Sequence, residues 1–176
     1  MKCSAMAVGI LTIVCTTGLM AQALAATPTS PWVGNWKLNL EKSRFNPGPT
    51  PRMQARRYEL RPDGFFGALF SGVDARGTPT FLSMVFKFDG QDYRQDTQTT
   101  LPETEATGAK PGAGAYQPVG PTSFLFIQKD SKGLTINPDV VTSDSVSADG
   151  KTLTRTQTGK TAQGLVLDNL IIFDKQ

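Results

Sequence analysis

Hydrophobic and polar positions alternate along much of this chain, in short bursts. In Asn35-Trp36-Lys37-Leu38-Asn39-Leu40, the residues Trp36, Leu38 and Leu40 share one face and the polar residues share the other. That period of two marks a strand with one buried side. The same reading predicts a first strand over about Val33–Leu40, then Met53–Leu60, Phe65–Val73, Thr80–Phe88 and a short one around Tyr93–Thr97. Strands resume at Ser123–Lys129, weakly around Leu134–Ile136 and Val140–Val146, and finish with Lys151–Thr158 and Leu165–Phe173. In the fourth strand Leu82, Met84, Phe86 and Phe88 point inward. Phe124-Leu125-Phe126-Ile127 is apolar on both faces, which suits a strand between the core and a covering loop.

The interruptions are as informative as the strands. Pro62-Asp63-Gly64, Asp74 to Gly77, Asp89-Gly90 and Asp149-Gly150 are tight-turn sequences, because glycine accepts φ > 0 without steric cost. Asn39 is placed to cap one helical turn through Glu41-Lys42-Ser43-Arg44. Three prolines between Asn46 and Pro51 forbid regular structure there. Thr100 to Gly120, rich in Gly, Pro, Ala and Thr, is expected to be a long irregular loop. No pattern supports a helix of more than a turn or two. Eight to ten short antiparallel strands fit an all-β fold, an up-and-down β-barrel or a sandwich.

Residues 1–25 change the picture of where the domain sits. Lys2, an apolar run from Ala5 to Met20 and the small-x-small site Ala23-Leu24-Ala25 read as a secretory signal cleaved after Ala25. A periplasmic or secreted domain is expected, over 33–176, with a flexible lead-in over 26–32. An uncleaved anchor is the alternative. Both cysteines, Cys3 and Cys15, lie in the leader, so the exported domain relies on core burial rather than disulfides. A mature chain of about 150 residues buries roughly 68–70% of its unfolded surface, which is enough.

The chain has no histidine, which removes the commonest general base near neutral pH and the commonest transition-metal ligand. A net charge of +3 is too mild to point to nucleic acid or to an anionic membrane. Asp89, Asp92 and Asp96 do not match the Ca2+ loop spacing, so no metal is expected. No nucleophile-elbow, phosphate-loop or dinucleotide motif is present and no cofactor is expected. Glu103 and Glu105 lie in the irregular segment without organising neighbours.

Gly34-Asn35-Trp36-Lys37-Leu38-Asn39, with Lys42-Ser43-Arg44-Phe45 and Pro47-Gly48-Pro49, resembles the opening of small exported bacterial proteins of lipocalin-like type. The ending Ser147 to Thr154 through Phe173-Asp174-Lys175-Gln176 is similar to theirs. The resemblance implies an eight- to ten-stranded barrel around an apolar cavity. That set mostly lacks an assigned function, so the resemblance bears on fold more than on activity.

Candidate site residues follow from inward faces. Trp36 is expected to plug the closed end of the barrel and Trp32 to sit at the rim. Phe70, Met84, Phe86, Phe88, Phe124 and Phe126, with Phe65, either line a ligand pocket or form plain core. In Leu153 to Thr158, either the threonines or Leu153, Arg155 and Gln157 face inward. In the second case Arg155 would hold a ligand carboxylate, with a hydroxyl from Tyr58 or Tyr93. Arg52, Arg56, Arg57 and Arg61 read as a solvated edge strand, since Arg56 and Arg57 point to opposite faces. The expected function is binding of a small hydrophobic or amphipathic molecule without catalysis. The alternatives are a filled barrel acting as an interaction module of the cell envelope, and a cyclase- or isomerase-like enzyme.

Overall fold

The computed structural model describes residues 30–99, 111–161 and 163–176; the expected leader, residues 26–29 of the lead-in, and 100–110 of the expected loop lie outside the described residues. Ten strands follow in order: β1 (Gly34–Arg44), β2 (Met53–Leu60), β3 (Phe66–Val73), β4 (Pro79–Phe86), β5 (Tyr93–Thr99), β6 (Pro111–Gly120), β7 (Ser123–Asp130), β8 (Val140–Val146), β9 (Thr152–Lys160) and β10 (Val166–Lys175). Each pairs antiparallel with its chain neighbours, and β1 also pairs with β10, closing the ring. The seam runs Trp36↔Lys175, Lys37↔Asp174 and Leu38↔Phe173. Closure satisfies the backbone groups an open sheet would leave at its edges.

The alternation holds where strands are regular. Trp36 and Leu38 are buried and Lys37 is exposed; Met84 and Phe86 are buried and Val85 exposed. Leu40 leaves the inward face and is 44% exposed, because the β1–β10 register shifts between Asn39 and Arg44. The expected helical turn there is instead an irregular stretch of β1. Its local hydrogen bonds resemble a cap all the same: the Asn39 Oδ1 accepts from the Lys42 amide at 3.0 Å, and the Ser43 hydroxyl donates to the Asn39 carbonyl at 2.6 Å.

Three further expectations are corrected. Residues 111–120 are not loop but β6, paired with β7 from Pro111↔Asp130 to Gly120↔Ser123; small residues fit that crowded wall, as a Cβ on Gly112 would stand 2.6 Å from the Asp130 carbonyl oxygen. Leu134–Ile136 forms no strand of its own, only a single antiparallel bridge from Thr135 to Lys129. Arg56 does not lie on an edge, since the ring among the described strands has none, and its side chain is inside the barrel.

The core fills one end. Trp32, Tyr58, Phe66, Phe86, Phe124, Val146, Leu153 and Phe173 form a buried cluster with Trp36. Trp32 is not at an open rim: it is 2% exposed and packs on Phe88 at 5.1 Å and Phe124 at 5.5 Å between ring centroids. Such aromatic contacts add to area burial by ~0.5–1.5 kcal/mol each.

At the opposite end, residues 131–139 cross from β7 to β8. The Asp130 carboxylate accepts from the Lys132 and Leu134 amides, and the Ile136 amide donates back to the Gln128 carbonyl. The crossing presses on Gly159, whose φ is +137° and where a Cβ would collide with the Asp139 carbonyl oxygen. Gly159→Ala is therefore expected to lower stability by about 1–3 kcal/mol through strain and overpacking. Gly67, with no atom within 4 Å of a built Cβ, is the control. Chemical denaturation of both alanine variants checks the contrast, and equal midpoints would remove the strain argument.

Candidate functional site

Three charged side chains meet inside the barrel. β8 carries Val140, Thr142, Asp144 and Val146 on its inward face, and β9 carries Leu153, Arg155 and Gln157 on its own. Asp144 pairs across the strands with Arg155. Arg155 grips both carboxylate oxygens, Nε to Oδ1 at 2.7 Å and Nη2 to Oδ2 at 2.6 Å. From β2, Arg56 reaches the same Oδ1 with one long contact of 3.5 Å. The Asp144 side chain is 0% exposed, that of Arg56 5% and that of Arg155 15%. The cluster therefore carries one more positive than negative charge inside the protein.

The two arginines are not equivalent. Arg155 is held bidentately, the strong geometry for guanidinium and carboxylate. Arg56 spends one of its five N–H donors on a hydrogen bond among the described residues. Its guanidinium instead lies over the Phe173 ring at 4.3 Å and the Phe70 ring at 5.5 Å. Ring faces attract a cation but accept no strong hydrogen bond.

Burial would raise the Asp144 carboxyl, but the Arg155 and Arg56 guanidiniums outweigh it and hold the group below the usual carboxylate range. Burial pushes the Tyr58 hydroxyl up, partly offset by Arg56, and pushes the Tyr116 hydroxyl well above its ordinary value. Both phenols are thus protonated donors at neutral pH. The two hydroxyls lie near each other and neither bonds to any other described residue, while the Trp32 indole N–H has no partner among them at all. A buried donor left unmet costs on the order of 1–3 kcal/mol.

A cavity of about 340 Å3 lies against this cluster. Arg56, Tyr116 and Arg155 form its charged and phenolic wall, with Phe70, Leu82 and Phe126 as apolar wall and the amides of Gln54, Gln95 and Gln128 also lining it. The Gln128 amide donates to the Gln95 Oε1 at 2.8 Å, tying β7 to β5 across the interior. The volume lies at the low end of ordinary small-molecule sites, ~300–1,000 Å3.

The expected ligand residues therefore divide. Phe70, Phe126 and Arg155 reach the cavity. Met84, Phe86, Phe124, Tyr58 and Phe88 do not line it; they pack the filled end, with Phe88 stacked on Phe124 at 4.1 Å and Phe86 on Tyr116 at 4.7 Å. Phe65 is outside this core, against Tyr93 and beneath Lys87, while its neighbour Phe66 takes the inward place. The Tyr93 hydroxyl donates to Asp89 at 2.9 Å and is not among the cavity's lining groups. Trp36 is 1% exposed at the seam, its N–H donating to the Trp32 carbonyl at 3.0 Å with the Lys175 ammonium over its ring. Asp92 and Asp96 pair separately with Lys129 and Arg94. Among the described residues no group of three or more carboxylates comes together as a metal site.

Sequence alone reads Arg56 as part of a solvated edge strand and does not point to Asp144. A signal existed for each: Arg56 shares a strand face with Tyr58, and Asp144 shares one with Val140 and Val146.

No family model matches the chain, and no curated protein matches it. Among solved structures it is similar to a redesigned β-barrel, at 10% identity and a TM-score of 0.45, over 84% of this chain and 93% of that one.

Proposed function

We propose that this barrel binds a small amphipathic molecule through an anionic group received by Arg56, without catalysis. One observation carries the reading: a guanidinium only 5% exposed, in a cluster of net positive charge, lines a cavity while making a single 3.5 Å hydrogen bond among the described residues. A buried cation with idle donors gains most from an anion brought into low dielectric. Tyr116 adds a protonated phenol to the same wall, and Phe70, Leu82 and Phe126 supply the apolar contact. The leader over 1–25 and the resemblance to small exported lipocalin-like proteins support placing this activity in the periplasm or outside the cell.

Calorimetric titration with hexanoate tests it. Hexanoate is expected to bind at least tenfold more tightly than hexanol, which has the chain but no charge. Arg56→Met, which keeps most of the stem and leaves the Asp144–Arg155 pair intact, is expected to weaken hexanoate at least tenfold. Equal binding by hexanoate and hexanol, or an unchanged affinity in the variant, overturns the reading.

A further inference from the structure

The wall of the barrel is open between β7 and β8. These strands pair only at Ser123↔Ser145, Phe124↔Asp144 and Leu125↔Ser143, although β7 continues to Asp130 and β8 begins at Val140. Beyond Leu125 the two diverge. The far end of β7 turns its hydrogen bonds to the crossing segment, with Asp130 N–H to the Leu134 carbonyl and Ile136 N–H to the Gln128 carbonyl. What remains is a window framed by β7, residues 135–138 and β8, holding a hollow of about 400 Å3.

Its lining shows that it crosses the sheet. Successive side chains of a strand point to opposite faces. Yet Leu125 and Ile127 from the outer face of β7 border the same hollow as Phe126 and Gln128 from the inner face. A surface dent would touch outer residues alone. Phe126, Gln128 and Arg155 also line the central cavity, so the two spaces share a wall at those three side chains. The Arg155 guanidinium stands 5.2 Å from the centre of the Phe126 ring at that junction. Outward from it the lining is mixed: Leu125, Ile127, Ile136, Val140 and Val141 give aliphatic contact, beside Thr135, Asn137 and Thr142. Val141 is 55% exposed.

We infer that the window is the second half of the ligand site and takes a single alkyl chain. The inference rests on the anion-binding reading above and specifies the ligand class: an anionic head at Arg56 and a tail passing between β7 and β8. Charge and free donors lie at the inner end of this path, and the outward-facing Leu125, Ile127 and Val141 with Ile136 give a strip of aliphatic contact at the outer end, the order a single-chain amphiphile requires. The interior alone, at about 340 Å3, accommodates the head and a short chain. A longer chain needs a way out. The window offers one along Leu125, Ile127, Ile136 and Val141, whereas the open end beside the cavity is bordered by Gln54, Ser71 and Thr80 with Phe81 as its apolar member.

Hexanoate and dodecanoate, titrated calorimetrically below micelle formation, provide the test. Six further methylenes are expected to raise affinity at least 30-fold, a conservative share of ~0.8 kcal/mol per buried methylene. Val141→Asp, at an exposed position that does not threaten folding, is expected to weaken dodecanoate about tenfold and leave hexanoate within twofold. Ile136→Asp is expected to do the same. Phe81 is 37% exposed and borders the interior cavity at its mouth, so Phe81→Asp is expected to shift hexanoate and dodecanoate by the same factor. If dodecanoate binds no better than hexanoate, or if Phe81→Asp rather than Val141→Asp weakens dodecanoate selectively over hexanoate, the window is not the tail site; hexanoate lost on Arg56→Met would still uphold the interior reading. If the wild-type protein binds neither probe, both readings fall.

Discussion

Replacing Asp144 with asparagine is expected to cost about 3–5 kcal/mol of folding stability, because removing one member of a buried ion cluster leaves its partners uncompensated. Two guanidiniums remain, one 5% and one 15% exposed, with no carboxylate between them. The shape of the side chain hardly changes, so the loss reports charge rather than packing. Asp168→Asn is the contrast: its pair with Arg44 is half exposed on both sides, and such pairs contribute ~0–1 kcal/mol. Urea denaturation of the two variants gives both numbers. Acid should expose the same carboxyl. Its folded-state pKa is depressed, so the stability it contributes is present above the ordinary aspartate value of about 3.9 and is lost as pH falls below that toward the folded value. The gap between wild type and Asp144→Asn is therefore expected to be widest near neutrality and to narrow below about pH 4. A gap that stays constant through that range assigns the loss to something other than the charge.

Trp36→Ala is expected to cost a similar ~3–5 kcal/mol, the range for deleting a large buried aromatic. The indole is 1% exposed. Its N–H holds the Trp32 carbonyl, and Lys175 of β10 lies over its face while donating to the Pro31 carbonyl at 3.2 Å. The residue thus joins the segment before β1 to the strand that completes the ring. Trp36→Phe, which keeps part of the volume and loses the N–H, is expected to fall between. Thermal unfolding followed by near-ultraviolet circular dichroism measures both. A cost under about 1 kcal/mol for the alanine variant would show that the filled end does not depend on this side chain.

The barrel was legible because its signals are local. Alternation in β2, β4 and β10 and the Asp-Gly turns placed strand ends to within a residue or two, while β1 runs four residues past its expected end at Leu40; a run of antiparallel neighbours has few ways to bury one face. Boundaries failed where local composition misleads. Pro111 to Gly120 carries so many small residues and prolines that it reads as loop, yet β5 and β7 recruit it as β6. Phe65 and Phe66 are adjacent and identical, so composition did not say which one turns inward. The site was less legible than the fold. The Arg56–Asp144 contact spans 88 residues, and nothing in either strand names its partner. Arg155 was ambiguous because threonines flank it on both sides; only the carboxylate it meets on β8 decides its face.

The wiring of the ring has a kinetic consequence. Nine of its ten pairings join consecutive strands, so hairpins can zip up anywhere along the chain at small entropic cost. The tenth brings together groups 135 residues apart, as in the contact of Asn39 with Asp174. Loop-closure entropy grows only slowly, about 0.6 kcal/mol per doubling of length, but little rewards it until the ends dock. The meeting of the two ends is therefore expected to be the slowest step in folding, since it alone joins parts of the chain so far apart in sequence.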